Sequence, residues 1–168
     1  MKRFITLAGA AVLSLALAGP ALAADPVRPF GGTVSGPDAY GPPDCPGAVW
    51  HYTSLATGEM LHLGRVSMAV SHCTWIDTFV DGAPATGHFG PGTMTFTAAN
   101  GDILALADWG TFRLVATPDG LFSYVDISWA VSGGTGRFAV ATGRGGASAI
   151  SDIGANRTTA TYWGTISY

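Results

Sequence analysis

Lysine is absent after position 2. That excludes Schiff-base chemistry and any lysine acting as a base. With Lys2 and Arg3 set aside as part of a leader, six arginines face eleven acids, a formal charge of −5. Such a chain has no cationic footprint for nucleic acid or for an anionic membrane. Charged residues of both signs make up only 11% of the sequence, and Glu59 is its one glutamate. Cysteine occurs twice, as Cys45 and Cys73, with no C-x-x-C pair. No stretch of twelve or more residues keeps a helical apolar period, which argues against bundles and βαβ units. After the leader no apolar run is long enough to span a bilayer as a helix. G-x-S-x-G and H-E-x-x-H are both missing, so neither an α/β-hydrolase elbow nor a zincin site is present.

Lys2 and Arg3 open the chain, Phe4 to Leu17 are almost wholly apolar, and Ala21-Leu22-Ala23 follows. A positive start, a short apolar stretch and an A-x-A end predict a secretory signal peptide over residues 1–23. The expected mature protein is therefore secreted or extracytoplasmic, with no membrane insertion after cleavage. In an oxidising compartment an even cysteine count reads as one disulfide, Cys45–Cys73.

Apolar–polar alternation between turn signals is what the rest of the chain offers, and it predicts strands. They are Phe30–Ser35, Val49–Leu55, Leu61–Ile76, Gly92–Thr97, Ile103–Trp109, Phe112–Thr117, Phe122–Val131, Phe138–Ser151 and Thr158–Tyr168. Asn100-Gly101 and Pro118-Asp119-Gly120 are turn chemistry between them. Residues 24–47 hold six prolines and read as an arm with one edge strand. Residues 48–168 read as one all-β domain, an antiparallel barrel or a two-sheet sandwich. Side-chain parity groups Val125, Ile127, Trp129 and Val131, then Met94 with Phe96, then Val66, Met68, Val70 and His72. These sets are expected to face inward.

The most distinctive run is Gly133-Gly134-Thr135-Gly136-Arg137-Phe138-Ala139-Val140-Ala141-Thr142-Gly143. Its G-x-G-x-x-A is not a dinucleotide site, because β alternation follows where that fingerprint requires a helix. The run resembles the glycine-rich corner of the allene oxide cyclase and dirigent barrel superfamily. Gly58-Glu59-Met60-Leu61-His62-Leu63-Gly64-Arg65 and Thr95-Phe96-Thr97-Ala98-Ala99-Asn100-Gly101-Asp102 are similar to further pieces of bacterial members. The resemblance spans roughly Gly58 to Tyr168. It implies an eight-stranded antiparallel barrel with a partly apolar cavity, assembled as a homotrimer. It also implies binding of a small hydrophobic molecule whose cyclisation or coupling is steered without a cofactor, as an isomerase would. The glutamate of the plant cyclases has no strand-borne match, since Glu59 lies in a turn-like stretch. The resemblance implies acidic and arginine side chains in the pocket, for which Asp126 and Arg65 are the strand-borne candidates; parity places both on the less apolar face.

On this reading Met94, Phe96, Trp129 and Phe138 shape the ligand-binding cavity, while Arg65, His72 and Asp126 handle developing charge. His51, His62, His72 and His88 show no ligand spacing, and no metal is expected. The aspartates fall mainly in turns, except Asp108 and Asp126, which lie on strands. The competing expectation is a non-catalytic extracellular module with a filled barrel. A cavity of about 300 Å³ or more separates the two.

Overall fold

The computed structural model describes residues 26–168; the leader expected over residues 1–23 lies outside the described residues. Eight antiparallel strands run in chain order: β1 (Val27–Gly41), β2 (Trp50–Met60), β3 (Gly64–Val80), β4 (Ala83–Ala98), β5 (Ile103–Thr117), β6 (Gly120–Gly134), β7 (Thr142–Asp152) and β8 (Arg157–Ser167). Each pairs with its sequence neighbours, and β1 pairs with β8, closing an up-and-down barrel. Closure leaves no sheet edge exposed. A single 3-10 turn, Gly136–Phe138, lies between β6 and β7. Among the described residues no helix is long and apolar enough to cross a membrane.

The segment expected as an arm with one edge strand does contain the expected strand. Over Val27–Gly41 that strand is longer, and it is an integral stave of the closed barrel rather than an edge. Val27 through Pro37 pair with β8, and Gly32 through Gly41 pair with β2. Proline is tolerated because it falls where the β2 ladder is absent. Pro29 precedes the first β2 pair, and Pro37 sits between Ser35↔Thr57 and Asp38↔Ser54. The stretches 103–109 and 112–117 are one strand, and residues 92–97 are the second half of β4. The strand expected from Phe138 starts only at Thr142, after the 3-10 turn.

The sets grouped by parity do face inward. Met94 and Phe96, Val66, Met68 and Val70, and Trp129 are buried, and Val125, Ile127 and Val131 pack against the same core. Leu104 and Leu106 of β5 join them. One half of the interior is solid. Phe30 packs edge-on against Trp129 (4.9 Å) and Phe96 (5.9 Å), and Phe96 against Tyr162 (5.3 Å). Phe138, delivered by the 3-10 turn, is fully buried in the same core. The Trp129 indole donates to the Gly146 carbonyl at 3.0 Å. A Cβ on Gly145 of β7 or Gly164 of β8 would overlap its ring, so this facing pair of glycines makes room for the one side chain.

The other half, beneath the β1–β2, β3–β4, β5–β6 and β7–β8 hairpins, is not filled. The Cys45–Cys73 disulfide fastens the β1–β2 connection to β3 at this end. The Val49 amide donates to the Thr74 carbonyl beside it (2.8 Å).

Candidate functional site

The unfilled half encloses a cavity of about 480 Å³. Its wall is mostly apolar, with Val34, Met68, Val70, Met94, Val125 and Ile127 among the lining side chains. It extends to Pro84, Leu121 and Ile153 beside the hairpins. Two polar constellations interrupt the apolar wall.

The first joins His72 of β3 to Asp108 of β5. His72 Nδ1 and Asp108 Oδ2 are 2.9 Å apart, with side-chain exposures of 12% and 1%. The two strands are not neighbours, because β4 lies between them. The side chains meet across it at Gly92, which is paired with Asp108. Here β4 is irregular: the β3 register shifts between Ser71 and Thr74, and the β5 register between Phe89 and Gly92. Such bulges re-aim side chains. The imidazole is stacked between Tyr52 (4.9 Å) and Phe89 (4.3 Å). A carboxylate only accepts, so Nδ1 donates to Asp108 and a neutral ring keeps its lone pair on Nε2. Asp108 Oδ1 is buried with no hydrogen-bond partner.

The second constellation gathers hydroxyls on Asp38. Tyr52 donates to Oδ1 (2.8 Å), while Ser151 (2.7 Å) and Thr158 (2.6 Å) donate to Oδ2. Three charge-assisted bonds satisfy this carboxylate and stitch β1 to β2, β7 and β8. Burial, reinforced by the Asp38 charge, pushes the Tyr52 phenol far above its ordinary range. Burial does the same to Tyr162, with the Asp108 charge adding to it, and raises Tyr40 as well. All three phenols are neutral at physiological pH.

Of the residues singled out by sequence, His72 and Met94 line the cavity. Phe96, Trp129 and Phe138 do not line it; they form the packed layer at the other end. Parity gives the face of a strand but not the height along the barrel axis. Arg65 and Asp126 are exposed on the outer face and do not border the cavity. Glu59, expected in a turn, is an exposed residue of β2 paired with Arg65. Asp108 carries a legible signal that the sequence reading did not use: it continues the inward parity of Leu104 and Leu106. Asp38 was hidden by the assignment of its segment to an arm.

Two of the remaining histidines, His51 and His88, are held by surface groups, and His62 is exposed. His51 lies 2.7 Å from Ser71 Oγ and 3.2 Å from Asp44, and His88 lies 2.7 Å from Asp77 while stacked on Trp75. Asp44, Cys45 and Cys73 bring three potential ligand atoms within 4.8 Å of one another. Both sulfurs are spent in the disulfide, so no thiolate is available to a metal there. Asn156-Arg157-Thr158, which has the N-x-T spacing of a glycosylation acceptor, falls in the β7–β8 hairpin, where Asn156 is exposed but Thr158 points its hydroxyl at Asp38.

No family model, curated protein or solved structure matches this chain.

Proposed function

We propose that this barrel binds one small, largely apolar molecule in its open half and holds it in a folded conformer that favours cyclisation. The observation that carries the reading is the cavity itself. Its 480 Å³ falls within the range of small-molecule sites, and its lining is mainly aliphatic and aromatic. The polar groups on the wall are few and fixed, which is how such sites set ligand orientation. A pocket that holds a flexible chain in a reactive fold accelerates ring closure through orientation, with no cofactor. Kinship with the allene oxide cyclase and dirigent barrels belongs to this proposal and rests on the three sequence motifs. The filled-barrel module is disfavoured because one half of the interior is empty.

Export is part of the same proposal. The Cys45–Cys73 disulfide supports it, since such bonds persist in oxidising compartments. A secreted binder of apolar molecules would meet its ligand outside the cytoplasm.

A thermal-shift panel of lipids, terpenoids and phenolics tests the binding role. Ligands that occupy the cavity raise the melting temperature with concentration, by about 2.7 kcal/mol of added stability at a hundredfold excess over Kd. If the whole panel leaves the melting temperature unmoved, the binding role is lost.

A further inference from the structure

We propose that the His72–Asp108 pair makes the cavity a proton-transfer site for an apolar carbon acid, a molecule with a C–H bond beside a carbonyl or an equivalent acceptor. The inference rests on the cavity reading above and adds the chemistry performed there.

The geometry is that of an oriented base. Asp108, almost fully buried, holds His72 Nδ1 at 2.9 Å. Two aromatic faces at 4.9 and 4.3 Å fix the ring plane. His72 is a lining residue, so Nε2 is the ring nitrogen left to meet a ligand. A histidine serving only to fill space would not need a buried carboxylate. Burying that carboxylate is costly, and it leaves Asp108 Oδ1 without a partner. A buried carboxylate does, however, steady the imidazolium that forms when Nε2 takes a proton. Hydroxyl protons exchange with water unaided, whereas carbon-bound protons do not. Removal of a carbon-bound proton is therefore the step for which a fixed base has most to offer.

The step balances without a co-reactant. Nε2 takes the proton, the C–H electron pair moves toward the carbonyl, and an enolate forms beside the imidazolium. Return of the proton to a different carbon of the conjugated system gives an isomer and restores neutral His72. His72 is the catalytic residue, and Asp108 is a positioning residue.

Nitrobenzisoxazole, an apolar carbon acid small enough for the cavity, serves as the probe. A base removes its ring proton, the electron pair forms a nitrile, the N–O bond breaks, and a coloured phenolate is released. The full mature protein is expected to show saturable turnover about 100-fold above free imidazole in the same buffer. His72→Gln is expected to lose at least about tenfold in kcat. Asp108→Asn is expected to lower kcat with KM unchanged, a split that simple loosening of the barrel would not produce. Melting curves on both variants show whether they fold. Should His72→Gln fail to fold, Asp108→Asn and inhibition of the wild type by an inert apolar competitor carry the test. Probe binding seen as a melting shift without turnover above buffer, or turnover unchanged in folded His72→Gln, overturns the proposal while leaving the binding role intact. Absence of any melting shift by the probe or the wider ligand panel overturns both.

Discussion

Gly92 and Asp108 are paired across β4 and β5, and a Cβ at position 92 would stand 2.6 Å from Asp108 Oδ1. The same Cβ would stand 2.6 Å from His72 Cβ and 2.9 Å from the Ser71 carbonyl. The absence of a side chain at Gly92 lets residues of β3 and β5 reach each other over the intervening strand. Gly92→Ala is expected to cost about 1–3 kcal/mol, the range for overpacking a well-ordered interior, measured by urea unfolding. The cost includes displacement of a buried carboxylate and of backbone, so it would not be relieved by rotation of a flexible side-chain end.

Asp38 offers a second test through its three hydroxyl donors. Asp38→Ala leaves Tyr52, Ser151 and Thr158 without their acceptor in a largely buried site, and stability falls by about 3 kcal/mol or more. Asp38→Asn keeps one acceptor oxygen and costs less. Equal losses in the two variants would show that the hydroxyls find other partners.

The buried phenols predict an alkaline limit. Tyr40, Tyr52 and Tyr162 are raised above 10.0, the ordinary tyrosine value, chiefly by burial. In the unfolded chain these groups lose their protons near pH 10, while in the barrel they keep them. Above pH 10 the folded state binds more protons than the unfolded state, so stability falls as pH rises. Each fully shifted group contributes about 1.4 kcal/mol per pH unit to that slope. Melting temperatures measured from pH 8 to 12 are expected to be insensitive to these tyrosines below 10 and to drop above it. Phenolate absorbance from the buried set is expected to rise only with unfolding.

Removal of the disulfide by Cys45→Ser with Cys73→Ser is expected to cost about 3 kcal/mol, from loss of a 28-residue loop constraint. Cys73 is adjacent to His72, and the bond anchors the wall beside the pair. The double variant is therefore expected to weaken ligand-induced stabilisation as well as lower the melting temperature.

The fold was legible where one face of a strand is buried, because period-two alternation then writes the inside directly into the sequence. Val66, Met68 and Val70 show this, as do Leu104 and Leu106. It was only half legible in residues 27–41: the strand expected over Phe30–Ser35 is there, but Pro29 and Pro37 mimic a linker around it although each avoids a β2 pairing position. The site was half legible. His72 shares a face with apolar neighbours and stood out for that reason. Its partner lies two strands away, and the meeting depends on a bulge and a glycine that parity does not reveal. Phe96 and Trp129 were assigned the right face, but their depth along the barrel depends on how Phe30 of β1 packs between them.

The central claim is that the open half of the barrel takes an apolar guest. Titration with a neutral apolar fluorophore such as N-phenylnaphthylamine, in wild type and in Ala149→Phe, tests it most directly. Ala149 is buried on the cavity wall, and a phenyl group there would fill the space a guest needs. The account predicts saturable binding of about one probe per barrel in wild type and its loss in the folded variant. No saturable binding in wild type, or equal binding in both proteins, would contradict it.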